Sequence, residues 1–204
     1  MKLCDPLVRA VRANGKKYRV NLDFRRVFQM IGVSADTDLL PAARVYLALK
    51  CVMRRPPRND ATCAAIYAEL CKNLFPDATK KIDGPKLTDF EQDADLIRAA
   101  FLQAYGINLW RDRLHWTEFS ALLAALPQGS RYADILGIRA RPVPPATNYN
   151  QKEREWLITA KAACALDMTE DEKKRSYQAG VRSMAASMMA YADYMRGNGG
   201  GGNA

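Results

Sequence analysis

The stretch DFEQDADLIRAAFLQAYGINL, residues 89–109, sets four carboxylates, Asp89, Glu91, Asp93 and Asp95, directly ahead of an apolar run. Whether they form a metal site, an acid/base pair or the start of a helix decides both fold and function. Thr88 and Glu91 fit the S/T-x-x-E capping box, in which the hydroxyl takes a free backbone N–H and the glutamate reaches back to the cap. Asp89, Glu91 and Asp93 then fall in the first turns, where the helix dipole favours anions by roughly 0.3–1 kcal/mol each. Downstream, Phe90, Ala94, Ile97, Phe101 and Tyr105 recur at steps of three and four, and Gly106 supplies a C-cap. A calcium loop counted from Asp89 would need glycine and glutamate where Ala94 and Ala100 stand. On a helix, carboxylates two apart point roughly 200° away from each other and do not converge on one ion. The cluster reads as a helix start.

Working outward toward the N-terminus, residues 77–87 are a turn-rich connector. Ahead of it, Asn59 or Asp60 can cap a helix with Ile66, Leu70 and Leu74 on one seam, closed by Pro76. RRPPR, 54–58, breaks the pattern. Before it, LLPAARVYLALKCVM carries Pro41 in a first turn and Val45, Leu49 and Val52 on one stripe. NLDFRRVFQMIG places Phe24, Val27, Phe28 and Ile31 at helical spacing, with Asn21 or Asp23 as cap and Gly32 as stop. At the start, Asn14-Gly15 between two short alternating runs is a type I′ hairpin signal. Tyr18, Val20 and Leu22 share one face of the second run, and Lys17, Arg19 and Asn21 the other.

Toward the C-terminus, LHWTEFSALLAALP, 114–127, forms an apolar stripe of Trp116, Phe119, Leu122, Leu123 and Leu126 ended by Pro127. SRYADILGIRA is a shorter helical piece, and RPVPPATN a stiff extended linker. Asn150 can cap a helix carrying Trp156, Ala160, Ala163 and Cys164. Thr169 and Glu172 form another capping box before a last helix reaching about Arg196, with Val181, Met184, Met188 and Met195 along one side. The expected fold is mainly α: a helical core over 1–147 with a short N-terminal β-hairpin, a helical extension over 148–196, and a disordered glycine-rich tail over 197–204.

Composition narrows the function. With 49% apolar residues in 204, the chain can bury a sizeable core. No apolar stretch approaches the roughly 20 residues of a bilayer span, and Asp5, Pro6, Arg9 and Arg12 interrupt any signal-peptide core; a soluble cytoplasmic protein is expected. The five cysteines lack a CxxC pair, and with His115 the single histidine they read as reduced thiols. The phosphate-binding, zinc-protease and nucleophile-elbow motifs are all missing from the sequence, and His115 inside an amphipathic helix reads as a packed imidazole. The expectation is a protein that is not an enzyme and has no cofactor, metal or catalytic residue.

The net charge of +9 is concentrated. Residues 1–58 hold 13 Lys/Arg against 4 Asp/Glu, and residues 59–204 hold 18 of each. Arg9, Arg12, Lys16, Lys17 and Arg19 on a hairpin form a ribbon able to track phosphates, although no sequence-reading motif accompanies them.

The order NGKKYRVNLDFRRVF, DFEQDADLIRAAFLQAYGINL, LHWTEFSALLAALP, YADILGIR closely resembles a tailed-phage family known as gene product fifteen, over about residues 14 to 166. That family occurs in tail-morphogenesis gene clusters of siphophages. This sequence departs from it at Thr117, where a second aromatic is common, and in the segment after 166. The resemblance implies a tail assembly chaperone that binds the tape-measure protein, keeps it soluble, and passes it to tail-tube subunits of the major tail protein. It would act in the host cytoplasm and be absent from, or minor in, the virion. Partner contact is expected at Phe101, Tyr105, Trp116 and Phe119, and at Met184 and Met188, since flexible methionines suit adaptable apolar contact. Self-association fits the same reading. Nucleic acid is not an expected partner of a chaperone; the alternative is a nonspecific nucleic-acid-binding accessory protein using the basic first third.

Overall fold

The computed structural model describes residues 4–75, 86–147 and 149–167, and among these the chain is mainly α with one two-stranded hairpin. Packing divides it into two compact units, one of residues 4–75 and 94–134, the other of 86–93, 135–147 and 149–167. The expected helix with Met184 and Met188, its capping box, and the glycine tail lie outside the described residues.

In the first unit, β1 (Ala10–Ala13) and β2 (Lys16–Arg19) pair antiparallel with Val11 opposite Tyr18 and Arg12 opposite Lys17. Asn14 at φ 50° and Gly15 at φ 73° are both left-handed, as a type I′ turn requires. Val11, Ala13, Val20 and Leu22 are buried while Arg12, Lys17 and Arg19 face out, in keeping with the alternation of the sequence.

Helix α1 (Phe24–Ala35) starts where Asp23 accepts the Arg25 N–H, so Asp23 rather than Asn21 is the cap. It does not stop at Gly32. The helix runs on to Ala35, with Val33 and Ser34 half-buried and the Ser34 hydroxyl donating to Met30 O at 2.6 Å. A mid-helix glycine costs about 1 kcal/mol relative to alanine, too little to end a helix whose next turn is packed. Helix α2 (Pro41–Val52) has proline in its first turn, and α3 (Asp60–Leu74) is capped by Asn59, which accepts from Thr62 N–H at 2.8 Å. Leu49 and Val52 of α2 and Cys63, Ile66, Leu70 and Leu74 of α3 are buried, and α3 also packs on β1.

Helix α4 (Ala94–Tyr105) begins six residues later than the expected cap at Thr88. Residues 89–93 form their own turn, with Asp89 Oδ1 accepting the Glu91 and Gln92 N–H groups at 2.9 and 3.0 Å. Helix α5 (Trp116–Ala124) is capped by His115, whose Nδ1 accepts from Thr117 N–H while Glu118 Oε2 accepts the His115 N–H. Phe24 N–H donates to Leu114 O and Trp116 N–H to Leu22 O, tying the starts of α1 and α5 together in a short antiparallel bridge. Between these helices, Phe24, Phe119 and Phe101 stack with centroids 4.9 and 5.3 Å apart, from α1, α5 and α4. Phe28 meets Phe119 and Trp116 edge-on, and Trp116 Nε1 donates to Leu74 O, which joins α3 to the stack.

Helix α6 (Arg131–Ala140) carries the chain from the first unit into the second. In the second unit, α7 (Gln151–Ala163) is oriented differently from its expected face. Leu157 is its buried residue, whereas Trp156 is exposed and Ala163 faces solvent. Asn150 precedes α7 without capping it: its Oδ1 accepts from Thr147 N–H and its Nδ2 donates to Pro145 O. That amide is occupied in holding the proline-rich connection.

Candidate functional site

Three residues expected at the partner surface are structural. Phe101, Phe119 and Trp116 are 0%, 2% and 7% exposed, and the groove expected around them is filled by the chain's own aromatic stack. Tyr105 is half-buried and its hydroxyl donates to Leu122 O at 2.9 Å. The correction has a simple cause: an apolar stripe with this density of aromatics drives its own packing before it can serve a partner. Met184 and Met188 lie outside the described residues.

What this region does present is the loop after α4. Gly106 at φ 67° ends the helix and turns the chain. Leu109 is then buried as an anchor, and the next side chain, Trp110, projects with 67% of its surface exposed. The loop is held tightly. Arg25 donates through Nη2 to both Leu109 O and Asp112 O, at 2.9 and 2.7 Å. Asn108 Oδ1 accepts from Trp110 N–H, and Asp112 Oδ2 accepts from Asn108 N–H at 2.7 Å. The Arg98 guanidinium lies 5.0 Å from the Trp110 ring centroid and pairs with Asp95 at 2.8 Å. One turn along α4 from Arg98, Leu102 is 51% exposed. Arg98, Leu102 and Trp110 thus form a fixed amphipathic patch on the first unit. Trp110 carries little signal in the sequence because it lies in a turn, outside any helical stripe; the cue is a large aromatic beside Leu109 in a loop with turn-forming Asn108 and Asp112.

The carboxylates that opened the question are divided among separate tasks. Asp95 holds Arg98 and is exposed, and Asp89 caps its own turn. Asp93 is only 1% exposed and meets the Arg139 guanidinium with both oxygens, Oδ2 at 2.7 Å and Oδ1 at 2.9 Å. The same guanidinium donates to Leu87 O and to Cys164 O. Beside it, Gln92 exchanges two hydrogen bonds with the Asp167 backbone, at 3.0 and 2.7 Å. The second unit is clasped at this point, drawing residues 87–93, α6 and the end of α7 together. Burial pushes the Asp93 carboxyl up, but the Arg139 bonds, the Asp89 N–H and the Arg139 charge outweigh that and leave it below its ordinary value. Asp89 is lowered to about 2, chiefly by its bond to Lys86 and then by the Gln92 N–H.

His115 is a cap. Its Nδ1 accepts from Thr117 N–H and its Nε2 lies 2.9 Å from Val8 O, an arrangement that puts a ring N–H on Nε2. Burial and the nearby Asp60 raise the Cys63 thiol above its ordinary value. Among the described residues, no group of three or more His, Cys, Asp or Glu is placed to hold a metal ion, and no helix is long and apolar enough to cross a membrane.

Fold and surface together define a mainly α-helical protein with an exposed amphipathic patch beside a buried aromatic stack. A family model described as Bacteriophage Gp15 protein matches residues 3–166, and the chain belongs to that family. The match takes in the whole hairpin and continues through α7. No curated protein and no solved structure matches the chain. Family membership points to a phage morphogenesis or structural protein.

Proposed function

We propose that the protein is a tail assembly chaperone that binds the tape-measure protein in the host cytoplasm and keeps it soluble while the tail tube assembles. The observation that carries this reading is Trp110, displayed from a loop that Arg25 clamps from beneath. Binding hot spots are enriched in Trp and Arg, and a side chain already fixed in place loses less entropy on binding. Leu102 and Trp110 offer apolar area to one face of a partner helix, with Arg98 at the edge to meet a carboxylate. The tape measure is a long helical chain with apolar faces, the ligand such a patch fits. The major tail protein is the natural recipient of the complex.

Co-expression with the tape-measure protein, followed by pull-down at low and high salt, tests the reading. A soluble complex that survives high salt is expected, because apolar contact is little screened. Trp110→Ala should weaken it by about 2 kcal/mol or more, roughly 30-fold. Recovery of the complex only at low salt, or equal recovery with Trp110→Ala, would count against this surface.

A further inference from the structure

Apart from Lys50, which lies over the Tyr46 ring, the described cations of the basic first third fall into two groups. Arg25, Arg26 and Arg44 are used internally, donating to backbone carbonyls of residues 109 and 112, 51 and 39 respectively. Arg9, Arg12, Lys16, Lys17, Arg19, Arg54, Arg55 and Arg58 are exposed, and among the described residues none lies within ion-pair distance of a carboxylate. Arg12 stands directly opposite Lys17 in the hairpin, and the alternation of strands puts Arg19 on that same outer face. Like charges placed directly across a strand pair destabilise it, so the hairpin carries this face at a cost to its own stability. The Asn21 N–H donates to Val52 O at 2.8 Å, which brings the chain just after β2 beside the chain just before the 54–58 segment.

We infer that this surface, Arg12, Lys17 and Arg19 with Arg54, Arg55 and Arg58, binds the phosphate backbone of a nucleic-acid duplex without reading its bases. Positive charge alone suits phosphate or an acidic protein segment equally. The neighbourhood discriminates between them. A protein interface needs an apolar or aromatic centre, and the large apolar side chains exposed among residues 4–75, Leu40 and Leu47, belong to the start and middle of α2, not to the hairpin or the 54–58 segment. Single-stranded nucleic acid is held by exposed aromatic rings on which bases stack, and the aromatics of residues 4–75 are buried or half-buried. A duplex backbone requires neither, only cations in register along a ridge. Five of the six named residues are arginine, whose planar fork matches phosphate oxygens. This surface is separate in composition from the Trp110 patch, so the inference does not depend on the chaperone reading.

The test is fluorescence anisotropy of the full chain with a short labelled DNA duplex of mixed sequence, across roughly 50–200 mM salt. Binding should be independent of sequence, with log affinity falling against log salt at a slope of about −5 if six phosphates are engaged. The triple variants R12Q/K17Q/R19Q and R54Q/R55Q/R58Q should each lose at least tenfold in affinity and flatten the slope by about 3. These side chains are exposed, so neither variant should melt below wild type, and the hairpin variant, relieved of the Arg12–Lys17 repulsion, should melt slightly above it; if the hairpin variant fails to fold, the loop variant decides alone. Trp110→Ala should bind duplex as wild type does. Absence of duplex binding at the lowest salt, unchanged affinity in both triple variants, tighter binding of the single strand, or displacement by polyglutamate as effective as by unlabelled duplex would each overturn the inference.

Discussion

Replacing Arg139 by methionine should be among the most damaging single substitutions in the chain. Toward the described residues the guanidinium donates four hydrogen bonds, two to Asp93 and one each to Leu87 O and Cys164 O, and its side chain is only 10% exposed. Methionine preserves much of the volume and removes every donor. Asp93 would then be left as a carboxylate at 1% exposure, with the Asp89 N–H as its remaining hydrogen-bond donor. Removing one partner of a buried pair costs about 3–5 kcal/mol, because the surviving charge has lost both water and counter-ion. For a chain of this size that corresponds to a melting temperature lower by about 10 °C. Asp93→Asn should cost somewhat less, since it leaves a hydrogen-bonding group in place of a charge. The double variant D93L/R139M should recover most of the loss, as apolar replacements of buried pairs often do, apart from about 1–2 kcal/mol for the unpaired carbonyls of Leu87 and Cys164. Urea denaturation of wild type, D93L, R139M and D93L/R139M closes the cycle and gives the coupling energy directly. If Arg139→Met cost less than about 1 kcal/mol, or if the double variant were as unstable as the sum of the singles, the clasp would not be a coupled buried pair.

Three further outcomes follow from the same geometry. Phe101→Ala should destabilise the first unit by about 3–5 kcal/mol in urea titration, whereas Trp110→Ala should leave the unfolding midpoint within about 0.5 kcal/mol of wild type while weakening partner capture. His115→Ala should cost about 1–2 kcal/mol through loss of the α5 cap and the Val8 contact, and His115→Asn, a good N-cap, should restore part of it in thermal melts. Asp89 and Asp93 both have folded-state values below the ordinary 3.8, so each contributes stability that is present above about pH 4 and is lost as pH falls through its lowered folded-state value, about 2 for Asp89. Acid titration followed by circular dichroism should show that loss, and Asp89→Asn should flatten it by about 1–2 kcal/mol.

Local signals in the sequence were enough for much of this fold. The Asn14-Gly15 turn, the caps at Asp23 and Asn59, the proline at position 41 and the apolar steps of α1, α2 and α3 each act within one turn of chain, and each reappears in the structure. Gly32 and Asn150 show the limit of such signals, since packing of the following turn or a competing partner for the amide decides what those residues do. The buried face of α7 lies one position away from the one the sequence suggests: Trp156 is the largest apolar residue there, yet Leu157 is the one that is buried. The clasp was beyond reach for another reason: Asp93 and Arg139 are 46 residues apart, and nothing local marks either as buried. The same long-range packing turned the expected partner surface into core and left Trp110, one residue beyond an anchor, as the exposed ring.

The central claim is that a preformed apolar patch on this phage protein holds the tape-measure protein in soluble form. The most direct measurement is co-expression of the two chains with quantification of soluble tape measure at high salt, using wild type and Trp110→Ala side by side. Soluble complex with wild type and a clear loss with Trp110→Ala, at unchanged melting temperature, is the expected result. Tape measure that remains insoluble with wild type, or that is kept equally soluble by Trp110→Ala, would contradict it.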